Sequence, residues 1–347
     1  MTDRDGGMAR RDYLVAIGIA VFAALLMTLA MGAMVSLGVH AGEQMRADSS
    51  SVTIRPASVV PSGSATSVPV LCYHYVRGPG SPFQFARVFG YVVLSLPLLD
   101  ESELWKVSER GFEQQIYYLV SRGYHTVSLS DVHEWQMGRR DLPAKSIVLT
   151  FDDGDESVYE LVYPVLKRYG LRATLFVVTS RVGTHWNGIQ CLDWDRLRAM
   201  QRSGVFDIES HTHDLHYKVE SCGNPLPVFV AASECSAPLP GDTRWENALF
   251  DDLTRSRLEI ERHIGRSPEF LAWPYGFGNP AVDRIANEAG YLRTCALRAR
   301  PSLPLAFGTS LILSDTERFE MPRYTITART SLRAFRQMLE GDYHPDS

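Results

Sequence analysis

Ile147-Val148-Leu149-Thr150-Phe151-Asp152-Asp153-Gly154 is an apolar, β-branched run that stops at two adjacent carboxylates and a glycine. A continuous apolar run of this kind reads as a strand buried on both faces, the form strands take in parallel sheets. Successive side chains on a strand point to opposite faces, yet at its twisted end two neighbours can approach one cavity. One carboxylate then suits a metal and the other a proton. Taken alone, Asp-Asp-Gly also describes a solvated turn.

Outward from this stretch the same pattern recurs. Val68 to Tyr73, Thr174 to Val178, Phe206 to Ser210, Phe270 to Trp273 and Leu292 to Ala296 read as further strands. Helices stand between them, marked by their punctuation. Ser108 caps one carrying Phe112, Ile116, Leu119 and Val120, ended by Gly123; Glu156 to Tyr169 is closed by Gly170. Thr243-Arg244-Trp245-Glu246 is a capping box opening a long helix, and Asn279-Pro280 begins a shorter one closed by Gly290. Strand–helix alternation without a second linker predicts one α/β barrel of parallel strands. Residues 77 to 107 and 217 to 242 break the alternation and read as loop insertions over a rim. The polar clusters Asp152-Asp153, His211 to His216 and Pro274-Tyr275-Gly276 each follow a strand, where parallel barrels carry their active sites.

The rest of the 347-residue chain bounds the setting. Residues 14–39 carry no charge and are long enough for a helix to cross the roughly 30 Å hydrocarbon core. Arg10 and Arg11 precede them, so residues 1–13 read as a cytoplasmic tail and everything beyond Val39 as external. A signal peptide cleaved near Val39-His40-Ala41 is the alternative, although its apolar region would be unusually long. Residues 40–67 read as a flexible tether, 68–340 as the catalytic domain and 341–347 as a tail. With five cysteines, at least one thiol stays unpaired within the chain; Cys222 and Cys235 bracket a Pro-rich insertion that a disulfide would close. The net charge of −5 and the lack of a basic stripe argue against nucleic acid as partner. No phosphate-cradling glycine loop points to an organic cofactor.

Ser210-His211-Thr212-His213-Asp214-Leu215-His216 places three histidines behind one strand. Two imidazoles with an aspartate make the open, three-ligand site typical of catalytic zinc, with cobalt, nickel or iron equally compatible. Composition does not say which histidines are used.

Thr150-Phe151-Asp152-Asp153-Gly154, the His-Thr…His segment and Trp273-Pro274-Tyr275-Gly276 together resemble the polysaccharide deacetylases, carbohydrate esterase family 4, over about residues 68 to 330. The resemblance implies a distorted (β/α)7-type barrel and metal-dependent removal of N-acetyl groups from a polysaccharide. It implies Asp152 as general base and Asp153 as metal ligand. Ser-His-Thr aligns His211 as the first histidine ligand. The five-residue step to His216 is similar to the branch acting on poly-β-1,6-N-acetylglucosamine in bacterial biofilms, leaving His213 at the rim. The family's late Leu-x-His acid is missing, since His344 lies in the terminal tail. Val70-Leu71-Cys72-Tyr73-His74 instead resembles that branch's early Tyr-His segment, making His74 the candidate general acid. Tyr275 corresponds to the residue whose backbone N–H holds the oxyanion, and Trp273 is a candidate floor for a sugar groove. An arginine that many members place two before the proline is replaced by Ala272. Arg323 either supplies that charge at the site or is an exposed ion-pair arginine. Peptidoglycan, chitin oligomers and O-acetyl xylan are alternative substrates, and a catalytically weak sugar-binding module is the alternative function.

Overall fold

A computed structural model describes residues 65–78, 105–221, 223–234, 243–297 and 319–341. Seven strands form its centre: β1 (Val70–Tyr73), β2 (Ser146–Phe151), β3 (Ala173–Val177), β4 (Phe206–Ser210), β5 (Phe270–Ala272), β6 (Arg293–Leu297) and β7 (Glu320–Thr325). They pair in chain order, all parallel, and β1 closes the ring by pairing with both β7 and β2. A short strand, His125–Thr126, adds to the start of β2. The result is a closed seven-stranded parallel barrel.

Strand parity sorts the side chains. Val70, Val148, Phe176, Ala272, Cys295 and Met321 share one buried cluster inside the barrel. Leu71, Tyr73, Leu149, Phe151, Leu175 and Ile208 face outward into a second, together with Phe112, Ile116 and Leu119 of α1 (Glu109–Ser121). Ser108 caps α1 by accepting the Gly111 N–H. Helix α2 (Leu129–Gln136) turns Leu129, Val132 and Trp135 onto the inner cluster and plugs the end where the strands begin. The opposite end stays polar.

Several expectations need correction. The seventh strand lies outside the apolar runs above, because Pro322 interrupts its pattern; in a parallel pair Pro322 sits opposite Ala296. Glu156 to Tyr169 is not one regular helix: Val158–Val162 forms a π turn, and α3 (Tyr163–Tyr169) follows, ending at Gly170 with φ 65°, ahead of α4 (Trp194–Arg202). Thr243 makes no side-chain cap for α6 (Arg244–Ile264), so there is no capping box. Residues 217–242 are not merely loop, since Lys218–Ser221 and Asn224–Pro227 form a hairpin leading into α5 (Val228–Glu234). Ala65, expected in the tether, is buried and donates its N–H to the Leu142 carbonyl. Among the described residues no helix is long and apolar enough to cross a membrane. The segment 14–39, Cys222, Cys235 and His344 lie outside them.

Candidate active site

The strand ends bring Asp152, Asp153, His211, His216, His74 and Tyr275 to one rim. Asp152 continues the inward parity of Val148 and Thr150, so its carboxylate points up the barrel axis. It would collide with low-dielectric surroundings were it not for Arg323, which shares the inward parity of Met321 on β7. Arg323 is fully buried and donates from Nη1 to Oδ1 at 2.7 Å and from Nη2 to Oδ2 at 2.8 Å. Nη1 also reaches Thr150 Oγ1, and the guanidinium lies over the Phe176 ring. Burial raises the Asp152 pKa, but the Arg323 charge and hydrogen bonds, together with His211 and His74, outweigh it and hold the carboxyl below its usual range. The Cys72 thiol, buried and pushed up by desolvation, donates to Oδ2 from 3.4 Å. Arg323 is therefore neither an exposed ion-pair residue nor a groove lining. Both its terminal nitrogens are committed to Asp152.

Asp153 is set differently. It adopts φ 71°, left-handed backbone uncommon for a non-glycine residue, followed by Gly154 at φ 80°, where an added Cβ would crowd Val177. Thr212 (φ 73°) and Tyr275 (φ 60°) share this conformation at the ends of β4 and β5. Such outliers cluster where a fold aims functional groups. Oδ2 of Asp153 accepts the Tyr75 hydroxyl at 2.6 Å. Oδ1 faces Nε2 of His211 at 3.6 Å and Nε2 of His216 at 3.3 Å, with no hydrogen bond closing either gap. Burial raises the Asp153 pKa, yet His216, His74 and His211 together outweigh it and the group stays well below the usual carboxylate range.

These donors fit a divalent ion. His211 Nδ1 lies 2.7 Å from the Ala272 carbonyl and must donate there, which turns the Nε2 lone pair toward Asp153 Oδ1. Burial lowers the His211 pKa to about 4, so the ring is neutral at ordinary pH. Two lone pairs facing each other across a dry gap repel unless a cation stands between them. The ligand atoms of Asp153, His211 and His216 all lie within 4.8 Å of one another. Atoms sharing one zinc ion at about 2.0–2.1 Å bonds fall within such a span. His213 is not in the cluster: its Nδ1 meets Thr179 Oγ1 and its backbone N–H donates to Asp252 of α6. Asp252, which also takes the Asp214 N–H, pins the histidine loop and carried no sequence signal.

His74 lies beside Asp152, close enough that Cys72, His74 and Asp152 form a second compact group. Its ring packs at 4.5 Å on Trp105, and burial lowers its pKa. Tyr275 packs on His216 at 4.5 Å, Trp186 meets the same ring edge-on at 4.8 Å, and the Lys218 ammonium sits over Tyr275. Tyr275 owes its backbone turn to Gly276 (φ 73°), where a Cβ would overlap Leu297. Trp273, expected as a groove floor, is fully buried on the outward parity of Leu271. It stacks on Phe229 and donates Nε1–H to Asp283, so no sugar reaches it. The half-exposed aromatics at the rim are Trp105, Trp186 and Tyr275.

The profile described as polysaccharide deacetylase matches residues 139–293. A poly-beta-1,6-N-acetyl-D-glucosamine N-deacetylase of Staphylococcus aureus is 29% identical over 221 residues, covering 63% of this chain and 68% of its own. A protein of the same name from Escherichia coli is 26% identical over 275 residues, covering 72% of this chain and 38% of its own. Among solved structures, IcaB from Ammonifex degensii superposes with a TM-score of 0.60 at 28% identity, covering 81% of this chain and 99% of that one. A de-N-acetylase from Aggregatibacter actinomycetemcomitans gives 0.60 at 26% identity, covering 78% and 99%.

Proposed function

We propose that the chain, whose residues 139–293 match the polysaccharide deacetylase family, hydrolyses the N-acetyl groups of a poly-β-1,6-N-acetylglucosamine-like polymer, releasing acetate. The observation that carries this reading is the pair of unlike carboxylates on one rim. Asp152 is bound by Arg323, while Asp153 faces two imidazole nitrogens. The likeness to enzymes named for that polymer supports the substrate class.

Asp153, His211 and His216 would hold a divalent ion, zinc first among the metals that suit one carboxylate and two imidazoles. When bound, such an ion polarises the acetyl carbonyl and lowers the pKa of water toward about 7. Asp152, kept ionised and aimed by Arg323, takes the proton of the water that attacks the acetyl carbon. The Tyr275 backbone N–H, turned by its left-handed conformation, donates to the oxyanion. The C–N bond breaks as His74 gives its proton to the departing amine. Burial lowers the His74 pKa, and the neighbouring Asp153 and Asp152 charges oppose that shift, favouring the protonated ring that this step requires. The charge-free segment 14–39 anchors the domain on the outer side of the membrane, to be checked by fractionation of cells.

Acetate release should be measured on a panel of acetylated polymers: poly-N-acetylglucosamine, peptidoglycan, chitin oligomers and O-acetyl xylan. The first should turn over fastest, in a chelator-sensitive reaction restored by zinc or cobalt. His74→Ala should lower turnover by about 10²–10⁴-fold, the usual worth of a proton-transfer group. Unchanged turnover in that variant would remove His74 as the acid. No release from any polymer would leave a sugar-binding module.

A further inference from the structure

Tyr75 follows the candidate acid directly, yet it serves the other carboxylate. Its hydroxyl donates to Asp153 Oδ2 at 2.6 Å, and its ring is buried. Three contacts fix the short strand Tyr75–Arg77 that carries it. The strand pairs in parallel with Lys106–Ser108, and the Val76 N–H donates to Ser157 Oγ at 3.2 Å. Arg77 grips Asp155 with both terminal nitrogens, at 2.5 and 2.9 Å. Asp155 is itself buried, accepts the Ser157 N–H and stands two residues beyond Asp153. The Arg77 guanidinium also lies 5.3 Å from the Tyr75 ring centroid. The segment bearing Asp153 therefore clamps the segment bearing Tyr75.

A carboxylate on its terminal sp³–sp² torsion has no sharp rotamer, so either oxygen, or both, would otherwise swing toward the histidines. Only Oδ2 has a donor, which leaves Oδ1 facing the two Nε2 atoms. We propose that Tyr75 is the positioning residue of the metal centre. Its hydroxyl turns Asp153 so that one oxygen is presented to the ion, and the Arg77–Asp155 pair holds the phenol for that task. This rests on the reading of Asp153 as a ligand. Partners that orient a ligand are typically worth about 10–100-fold in metal affinity.

The test is zinc affinity of the full chain, by competition with a chelating indicator, for wild type, Tyr75→Phe and Asp153→Ala. Tyr75→Phe should bind zinc about 10–100-fold more weakly, and its cobalt form should show a shifted visible absorption spectrum. The metal-induced rise in melting temperature, taken from each variant's own metal-free baseline, separates this from a loss of folding stability. Wild-type affinity and spectrum in Tyr75→Phe, with affinity lost in Asp153→Ala, would overturn the role of Tyr75 alone. Wild-type affinity in Asp153→Ala would overturn the ligand reading and this inference with it.

Discussion

On one side of the pocket Asp152 meets the Arg323 guanidinium at 2.7 and 2.8 Å; on the other, Asp153 meets a phenol and two imidazoles. The two residues are consecutive and both are buried. The fold completes the first site with its own cation, delivered from β7, and leaves the second arranged as acceptors around a gap. A buried carboxylate without a counter-charge is costly. On the proposed reading, the contrast separates a proton-handling group, which needs a permanent partner, from a ligand group, which needs an exchangeable one.

The contrast breaks most visibly if the two aspartates are replaced in turn. Asp152→Asn should lower acetate release by about 10²–10⁴-fold, the worth of a general base, while zinc affinity stays within a few-fold of wild type. Asp153→Ala should lose the ion itself, read by the indicator competition. Equal loss of affinity in both variants would erase the distinction. Next in size, Arg323→Met strands the Asp152 charge inside the barrel. Breaking a buried pair this way costs about 3–5 kcal/mol, read by urea unfolding of the metal-free protein. Arg323→Met with unaltered stability would mean that Asp152 does not depend on it.

The smallest effect concerns acid. His211 titrates near pH 4 in the fold because burial disfavours its charged form, against about 6.5 in the unfolded chain. The unfolded state then binds the extra proton first. Stability of the metal-free protein should fall as pH drops from about 6.5 to about 4, by about 3 kcal/mol from this ring. The fall should shrink in His211→Gln. An equal fall in that variant would place the acid sensitivity elsewhere.

Much of this was legible in the chain. Phe206–Ser210 emerges with the bounds that its run predicts, the run from Ile147 to Phe151 extends by Ser146 alone, and the carboxylates and histidines lie just beyond them. Trp273 was readable as well, since two-residue periodicity puts it with Leu271 on the outer face, away from the inward Ala272. Arg323 was harder. Pro322 disguises β7, and the partner lies 171 positions away. Tyr75 had no signal of its own, because a tyrosine beside a histidine is common and its partner is 78 positions distant. The family profile stops short of both, covering residues 139–293.

Local pattern by itself determined six of the seven barrel strands, several of the helices that separate them and the placing of acidic and imidazole groups at strand ends. These follow from side-chain periodicity and backbone preference over a few residues. Barrel closure decided the rest. Pairing β1 with both β2 and β7 brings residues from the two ends of the domain against the central aspartates. That closure gives Arg323 to Asp152 and Tyr75 to Asp153. The assignment is a matter of distance across a ring, which depends on how non-local strands pair and not on the identity of neighbours in the chain.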